Sequence, residues 1–288
     1  MNVSMGTGPA SPLRVSLVVG SMLRPEFLER FLVNVARQRT PVHQVIIVEQ
    51  RDVGAVESMV ARLGVTEALV VPSAPGLSRA RNVGLRLVTG DIIGFPDDDC
   101  WYHPGTLSRV VNQFSSNADL GILCGRVVTS TGTMLRYPRK AGRIDRRTVW
   151  HTAVSPGLFV RATTARQIGE FDEGIGVGSG TEAGSGEETE YVLRGLEKGA
   201  LAVYDPLVHV SHPSPEDVQF RQASSLGLRY GFGMGTVLRR HGYGPLSAAL
   251  AVLRPSIGSV VAAASGDMSL ARFRFSVARG RGHGYIGR

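Results

Sequence analysis

Cysteine is scarce in this sequence of 288 residues. Cys100 and Cys124 are too few for a disulfide framework, so a reducing compartment such as the cytoplasm is expected. The first twelve residues contain neither a basic head nor an apolar run, and we interpret residues 1–13 as a flexible tail rather than a secretory signal. The hydrophobic fraction of 43% is nevertheless large enough to bury a substantial core.

Acidic residues are nearly absent from the last quarter of the chain. Residues 221–288 contain ten arginines and a single acid, Asp267, whereas residues 1–220 hold 22 basic and 23 acidic side chains. The net charge of +8 therefore belongs to the C-terminal segment, which suggests an anionic partner, either membrane phospholipid or nucleic acid. An arginine-rich genome composition is the alternative explanation. Few aromatic residues lie among these arginines and no nucleic-acid-binding motif is found, so nucleic acid is not the expected partner.

An uninterrupted apolar run of membrane-spanning length is also missing. Residues 246–264 are long enough, but Arg254 and Pro255 interrupt their centre, so two short helices are expected in place of a spanning one. We predict that residues 217–288 form a basic helical extension. It lies either against the rest of the protein or, in the interpretation we prefer, against the anionic inner face of the cell membrane as a peripheral contact.

Before residue 217, short runs rich in valine and isoleucine alternate with longer amphipathic stretches. This is the pattern of βαβ units around a largely parallel, buried sheet. Because ligands bind beyond the carboxyl ends of strands in such sheets, the residues that follow each strand are the candidates for function. Strands are predicted over residues 14–19, 42–49, 68–71, 91–95, 120–130, 157–161 and 201–204, and helices over 25–39, 55–63 and 77–88.

Three consecutive carboxylates, Asp97, Asp98 and Asp99, follow the fourth predicted strand. Such charges repel one another unless a cation or several hydrogen-bond donors neutralise them. Carboxylates that leave coordination positions open suit Mg²⁺ or Mn²⁺ carrying a substrate diphosphate. A solvated acidic loop before a helix that begins near Pro104 is the alternative.

The helix before these aspartates carries a polar face. Arg79, Asn82 and Arg86 recur at a spacing of three and four residues, which places them on one side of the helix. Arginine near a helix N-terminus is poorly placed for the helix dipole, so an anion is a plausible partner, and a solvated face is the alternative.

The order and spacing of these segments resemble the family 2 glycosyltransferases. The chain has Ser21 and Arg24 after the first strand, Glu49 after the second, an Ala-Arg-Asn sequence at residues 80–82 and the aspartates at 97–99. The resemblance covers about 200 residues and implies an α/β fold of the GT-A type. Such a fold has a Rossmann-like mixed central sheet flanked by helices, here followed by the C-terminal helical extension.

The resemblance also implies which residues bind a nucleotide-sugar donor. Asp98 would contact the ribose, Asp97 and Asp99 would serve the metal and the diphosphate, and a histidine after a later strand, His212, would complete the metal site. An imidazole beside carboxylates shifts the preference slightly from Mg²⁺ towards Mn²⁺. The donor-binding residues implied in this way are Ser21, Arg24, Glu49, Arg81, Asp97 and Asp98.

A further acidic segment, Gly186-Glu187-Glu188-Thr189-Glu190, begins a predicted helix that ends near Gly199. A carboxylate in the first helical turn complements the helix dipole, which is a sufficient structural reason for either glutamate. The segment is also similar to the family motif Gly-Glu-Asp-x-Asp, whose second acidic residue deprotonates the acceptor hydroxyl. By position this general base is Glu188, and Glu187 remains open as the alternative.

These features predict one catalytic domain over residues 14–216, with a nucleotide-sugar half (14–118) and an acceptor half (119–216). The predicted activity is metal-dependent, inverting transfer of a sugar to a hydroxyl of a glycan or lipid-linked acceptor, in cell-surface polysaccharide or glycoconjugate synthesis. A nucleotidyltransferase is the alternative enzyme, although residues 20–24 are a poor version of its basic phosphate loop. A nucleic-acid binder that uses the basic extension is the non-enzymatic alternative.

Overall fold

The structure is a computed structural model that describes residues 12–22, 24–213 and 224–287. Residues 1–11 of the predicted tail and residues 217–223 of the predicted extension therefore lie outside the described residues, as does Arg288. The division into domains at residues 14, 119 and 217 stays a prediction.

The described residues form one mixed sheet in the order β3-β2-β1-β4-β9-β6-β10-β5, with β7 paired to β6 and β8 to β10. Strands β1 to β4 pair in parallel, β9 runs antiparallel to both β4 and β6, and β10 runs parallel to β6. The strands are β1 (Val15–Ser21), β2 (Gln44–Glu49), β3 (Ala68–Pro72), β4 (Ile92–Gly94), β5 (Trp101–Tyr102), β6 (Leu120–Thr129), β7 (Gly132–Thr133), β8 (Gly142–Arg143), β9 (Leu158–Arg161) and β10 (Leu201–Ser211).

Helices α1 to α6 cover both faces of this sheet, and three more helices follow the last strand in the chain. Pro25 begins the first helix, as expected for a residue without a backbone N–H. The helices of the described part are α1 (Pro25–Ala36), α2 (Val53–Leu63), α3 (Leu77–Leu85), α4 (Thr106–Ser116), α5 (Ala162–Ile168), α6 (Glu187–Glu197), α7 (Ser224–Arg240), α8 (Pro245–Ala264) and α9 (Met268–Ile286).

Strand β1 shows why the sheet is buried on both faces. Leu17 and Val19 belong to an apolar cluster with residues of α1, α2 and α4, whereas Val18 belongs to the opposite cluster with residues of α3, α5 and α6. Successive side chains of a strand point to opposite faces, so a run of apolar residues fills both layers. Polar side chains follow this apolar core at the carboxyl ends of β1, β2 and β4, at Ser21, Glu49 and Asp97.

Strand β10 is longer than the predicted strand over 201–204. It continues to Ser211, and its pairing with β6 shifts register between Tyr204 and His209. Pro206 lies inside this irregular stretch, where a missing backbone N–H is tolerated. The added length carries His212 to the same edge of the sheet as the ends of β1 and β4.

The expectation of two short helices over residues 246–264 is wrong, because α8 is continuous. Pro255 cannot donate a hydrogen bond to the carbonyl of Ala251, which would normally end or kink the helix. Arg281 of α9 donates to that carbonyl instead, through Nη1 at 2.7 Å. A side chain 30 residues away thus satisfies the carbonyl that the proline leaves free.

The glycines of α7, which weaken its helix propensity, are explained by the neighbouring helix. A Cβ atom on Gly231 would overlap the carbonyl oxygen of Val277 in α9, and one on Gly280 of α9 would overlap the carbonyl oxygen of Leu228. Glycine at these positions lets the two helix backbones approach closely. The cost in helix propensity is offset by packing that a larger residue would prevent.

Gly84→Ala tests the close packing of α3 on β1. An added Cβ would overlap the side chain of Val18, and overpacking should outweigh the gain in helix propensity, so we expect a loss of about 1–2 kcal/mol in the free energy of unfolding. Gly282→Ala in α9 is the matched control, since no atom lies within 4 Å of its added Cβ, and should stabilise by about 0.5–1 kcal/mol. Urea unfolding of both variants is the measurement, and shifts of the same sign would contradict this account.

Candidate functional site

The candidate site lies where β1, β4 and β10 end. After β4 the chain reaches Asp97, which pairs with Gly20 of β1 in an isolated parallel bridge. After β10, the backbone N–H of His212 donates to the carbonyl of Val128 in β6 at 2.9 Å. These pairings bring residues 97–99 and His212 to the same edge of the sheet.

Asp97, Asp99 and His212 form a cluster that has the composition of a metal site. One ligand atom from each of them lies within 4.8 Å of the others. His212 Nε2 is 3.1 Å from Asp99 Oδ1 and 3.9 Å from Asp97 Oδ2. Asp99 Oδ1 is buried beside the imidazole of His212. Two carboxylates and an imidazole that converge in this way fit a divalent cation such as Mn²⁺ or Mg²⁺.

The acidic loop is not solvated, because Asp98 and Asp99 are both buried. Arg24, half-exposed, neutralises them: its guanidinium forms an ion pair with Asp98, and its Nη1 lies 2.8 Å from Asp99 Oδ2. Burial raises the pKa of Asp98 to about 6, although the charge of Arg24 acts in the opposite direction. An arginine that faces solvent beside buried carboxylates is also placed to meet an incoming phosphate.

The pKa values of Asp99 and His212 move in opposite directions. Burial alone would raise the pKa of Asp99, but the hydrogen bond and charge of His212, together with Arg24, hold it below its usual value. Burial alone would lower the pKa of His212, but the adjacent Asp99 raises it. The pair therefore favours a charged imidazolium and carboxylate, so a cation binding here displaces the proton of His212.

Arg81 links the aspartates to helix α6. Its side chain is 1% exposed, and its guanidinium donates to Glu187 Oε1 at 3.1 Å and to the hydroxyl of Ser155. It lies 3.5 Å from Asp97 Oδ1 and over the ring of Phe171. Arg81, which is predicted to lie near the nucleotide, is thus buried and contacts both the aspartates after β4 and the glutamates of α6. No pattern in the sequence pointed to Ser155 or Phe171.

Glu187 and Glu188 have different surroundings at the start of α6. Gly186 precedes them with φ of 97°, a conformation that favours glycine. Glu187 is buried and paired with Arg81, whereas no ion pair of Glu188 is found in the described part of the chain. Burial, reinforced by the negative charge of Glu187 and opposed by Arg81, raises the pKa of Glu188 to about 8.

Ser21 and Glu49, two of the predicted donor-binding residues, are neighbours across β1 and β2. Glu49 is buried and accepts backbone N–H groups of Arg51, at 2.8 Å, and Asp52, at 3.3 Å. The hydroxyl of Ser21 is buried without a hydrogen-bond partner among the described residues. A buried hydroxyl without a partner is a group that an ordered water or a ligand would have to satisfy, whereas Glu49 shapes the turn into α2.

The polar face of α3 meets anions that belong to the chain itself. Arg79 Nε lies 2.9 Å from Glu173 Oε2, and Arg86 pairs with Glu170. Asn82 donates to the carbonyl of Phe171 at 2.9 Å. These contacts attach α3 to residues 170–173, and an external anion would compete at Arg79 and Arg86 with carboxylates of the chain, although both arginines stay partly exposed.

Helix α7 of the C-terminal extension contacts the segment that leads into α6. Its carbonyl at Arg229 accepts the N–H of Gly184 at 3.1 Å, and its carbonyl at Tyr230 accepts the hydroxyl of Ser185 at 3.0 Å. Burial and the charges of Glu187 and Glu188 raise the pKa of Tyr230. Sequence reasoning placed this extension outside the site, although the glycine spacing of α7 was a signal for close packing.

Several solved structures have a fold similar to that of this chain. The mannosyltransferase PcManGT from Pyrobaculum calidifontis, in complex with GDP-Man and Mn²⁺, has a TM-score of 0.64 at 14% identity, covering 97% of this chain and 89% of that one. Residues 1–349 of S. aureus TarS give a TM-score of 0.60 at 15% identity, covering 93% of this chain and 91% of that one. A TarS structure in complex with UDP-GlcNAc also gives 0.60, at 14% identity, and covers 93% of this chain and 92% of that one. The predicted GT-A fold, a mostly parallel central sheet flanked by helices, is confirmed.

Sequence comparison agrees with the fold. A pre-mycofactocin glycosyltransferase of Mycobacterium tuberculosis is 27% identical over 158 residues, which is 51% of this chain. The match spans 32% of the length of that relative. The family model described as glycosyl transferase family 2 matches residues 16–170, more than half of the chain. The chain belongs to glycosyl transferase family 2.

Proposed function

We propose that the protein transfers a sugar from a nucleotide-sugar to a hydroxyl of a glycan or lipid-linked acceptor, with a divalent cation and with inversion at the anomeric carbon. The convergence of Asp97, Asp99 and His212 within 4.8 Å carries the proposal. The GDP-Man and Mn²⁺ bound to PcManGT and the UDP-GlcNAc bound to TarS support it. The family assignment favours this activity over a nucleotidyltransferase or a non-enzymatic nucleic-acid binder.

The donor binds along the ends of β1, β2 and β4. Arg24, with 45% of its side chain exposed, turns from the carboxylates towards the donor diphosphate, and the free hydroxyl of Ser21 donates to the donor. Asp98 accepts from the ribose, and Glu49 and Arg81 shape the nucleotide pocket from behind. Asp97, Asp99 and His212 would hold Mn²⁺ or Mg²⁺, which would supply neutralisation of charge on the leaving diphosphate, an effect of about several kcal/mol.

Glu188 is the base that removes the proton of the acceptor hydroxyl. Glu187 is unsuited to this role because its carboxylate is paired with the buried guanidinium of Arg81. Glu188 carries no such pair in the described part of the chain and titrates in the range that general base catalysis needs. The hydroxyl then attacks the anomeric carbon as the nucleoside diphosphate leaves on the opposite side, which gives one inversion.

The reaction takes place at the cytoplasmic face of the membrane, in the synthesis of a cell-surface polysaccharide or glycoconjugate. The described helices α7, α8 and α9 contain eight arginines and no acidic residue, which supports contact with anionic phospholipid. A lipid-linked acceptor would be presented at that surface.

Two substitutions separate donor binding from chemistry. Thermal stabilisation by a panel of nucleotide-sugars, with and without Mn²⁺, identifies the donor, and about 100-fold excess over Kd should add about 2.7 kcal/mol of stability. Glu188→Gln should keep this stabilisation and lose about 10²- to 10⁴-fold in turnover. Asp99→Asn should lose the Mn²⁺-dependent part of the thermal stabilisation by the donor and the Mn²⁺-dependent part of turnover. Glu182→Gln, an exposed glutamate before α6, is the control and should match the wild type. Full activity of the Glu188 and Asp99 variants would disprove the proposal.

The pH dependence of transfer tests the base. Glu188 must be ionised to accept a proton, and its raised pKa of about 8 means that acid removes the active form. At saturating Mn²⁺, we expect kcat/KM to fall about tenfold per pH unit below a midpoint no higher than about 8, because a bound cation lowers that pKa. The residual activity of Glu188→Gln should not show this fall of kcat/KM at acid pH. A flat wild-type profile between pH 5 and 9 would contradict the assignment.

Gly233→Ala tests whether α7 positions the base. A Cβ at Gly233 would overlap the carbonyl oxygen of Ser185, three residues before Glu188, so the start of α6 must move. Since a displacement of about 1 Å lowers turnover by about 10²-fold, we expect kcat to fall at least tenfold while donor binding is retained.

Gly231→Ala is the matched control for this experiment. Its added Cβ would overlap Val277 of α9 instead, so it should lower stability and leave kcat within about twofold of the wild type. An equal loss of kcat in both variants would show that α7 acts only through folding.

A further inference from the structure

Helix α8 presents an apolar face that nothing in the described chain covers. Leu246, Leu250, Leu253, Ile257 and Val260 recur every three or four residues, which places them on one side of the helix. They are between 48% and 74% exposed. A contiguous row of this length on a protein surface marks an interaction site.

The opposite side of α8 is attached to α9. Ser259 donates to the carbonyl of Ala271 at 2.7 Å, and Arg274 donates to the carbonyl of Gly258 at 2.8 Å. At about 1.5 Å per residue, its 20 residues are long enough to span a membrane. A helix with polar bonds to a soluble neighbour on one side is instead suited to lie in the plane of an interface, with its other side outward.

Basic side chains accompany this apolar face. Arg254 lies at its edge and is exposed. The exposed row of α9 alternates Met268 and Phe275 with Arg272 and Arg279. The acid between these helices, Asp267, precedes α9 and accepts the N–H of Leu270. Exposed apolar residues and arginines on two helices that pack together, without an exposed acid on either, match the chemistry of an anionic lipid surface.

We infer that the outer face of α8 docks in the headgroup region of an anionic phospholipid bilayer, with the exposed arginines of α8 and α9 on the phosphates. A second copy of the chain is a poor occupant, because symmetric pairing through this face would bring two arginine-rich surfaces together. The inference rests on the proposed membrane contact and changes its physical nature: the contact is made by apolar insertion as well as by charge.

Vesicle binding of the full chain tests this inference. The double variant Leu250→Gln/Ile257→Gln should lower partitioning onto vesicles of phosphatidylcholine with phosphatidylglycerol at least tenfold. Leu69→Gln/Leu207→Gln is the matched control, since both residues are exposed leucines on the catalytic sheet, and should bind as the wild type. Wild-type binding should weaken but persist in 0.5 M NaCl, because screening removes only the electrostatic part.

A second readout reports insertion directly. The fluorescence of Ile257→Trp, compared with the wild type, should shift to shorter wavelength when these vesicles are added. Unchanged binding of the Leu250/Ile257 variant, complete release by salt, or dimers in light scattering that this variant abolishes would each overturn the inference. Metal-dependent donor hydrolysis, measured without vesicles, should be equal in both double variants, so failure of the proposed transfer activity is recognised separately.

Discussion

The buried guanidinium of Arg81 connects the aspartates after β4 with the glutamates at the start of α6. The guanidinium of Arg81 lies between Asp97, at the end of β4, and Glu187, at the start of α6. Without it, these carboxylates and Glu188 would share a poorly solvated space and repel one another. The position of the proposed metal ligands and that of the proposed base therefore depend on the same side chain, which itself comes from α3.

The C-terminal helices are part of this arrangement rather than an appendage. Helix α7 accepts hydrogen bonds from Gly184 and Ser185, which precede the proposed base, and it packs on α9 through glycines. Helix α9 in turn supports α8, which carries the exposed apolar row. A continuous series of contacts thus runs from the surface proposed to meet lipid to the carboxylate proposed to meet the acceptor.

Much of the predicted catalytic domain can be recognised from local patterns in the sequence. Apolar runs of strand length predicted β1 to β4, and the resemblance to a family predicted Asp97, Asp99 and His212, which the structure brings together. Contacts between distant residues were not predictable in this way. Arg81 and Glu187 are 106 residues apart, and no periodicity connects them. The length of β10 was missed because a proline is normally read as the end of a strand.

Helix α8 was misjudged for a related reason, since the hydrogen bond that keeps it continuous comes from Arg281. Its continuity depends on tertiary contact, because a peptide of α8 alone would lack the side chain that satisfies the carbonyl of Ala251. In a chain synthesised from its N-terminus, α9 emerges after α8, so the carbonyl of Ala251 gains its side-chain donor only once α9 has folded against α8. The affinity for lipid that we infer for the apolar row would therefore depend on a segment that is synthesised after the row itself.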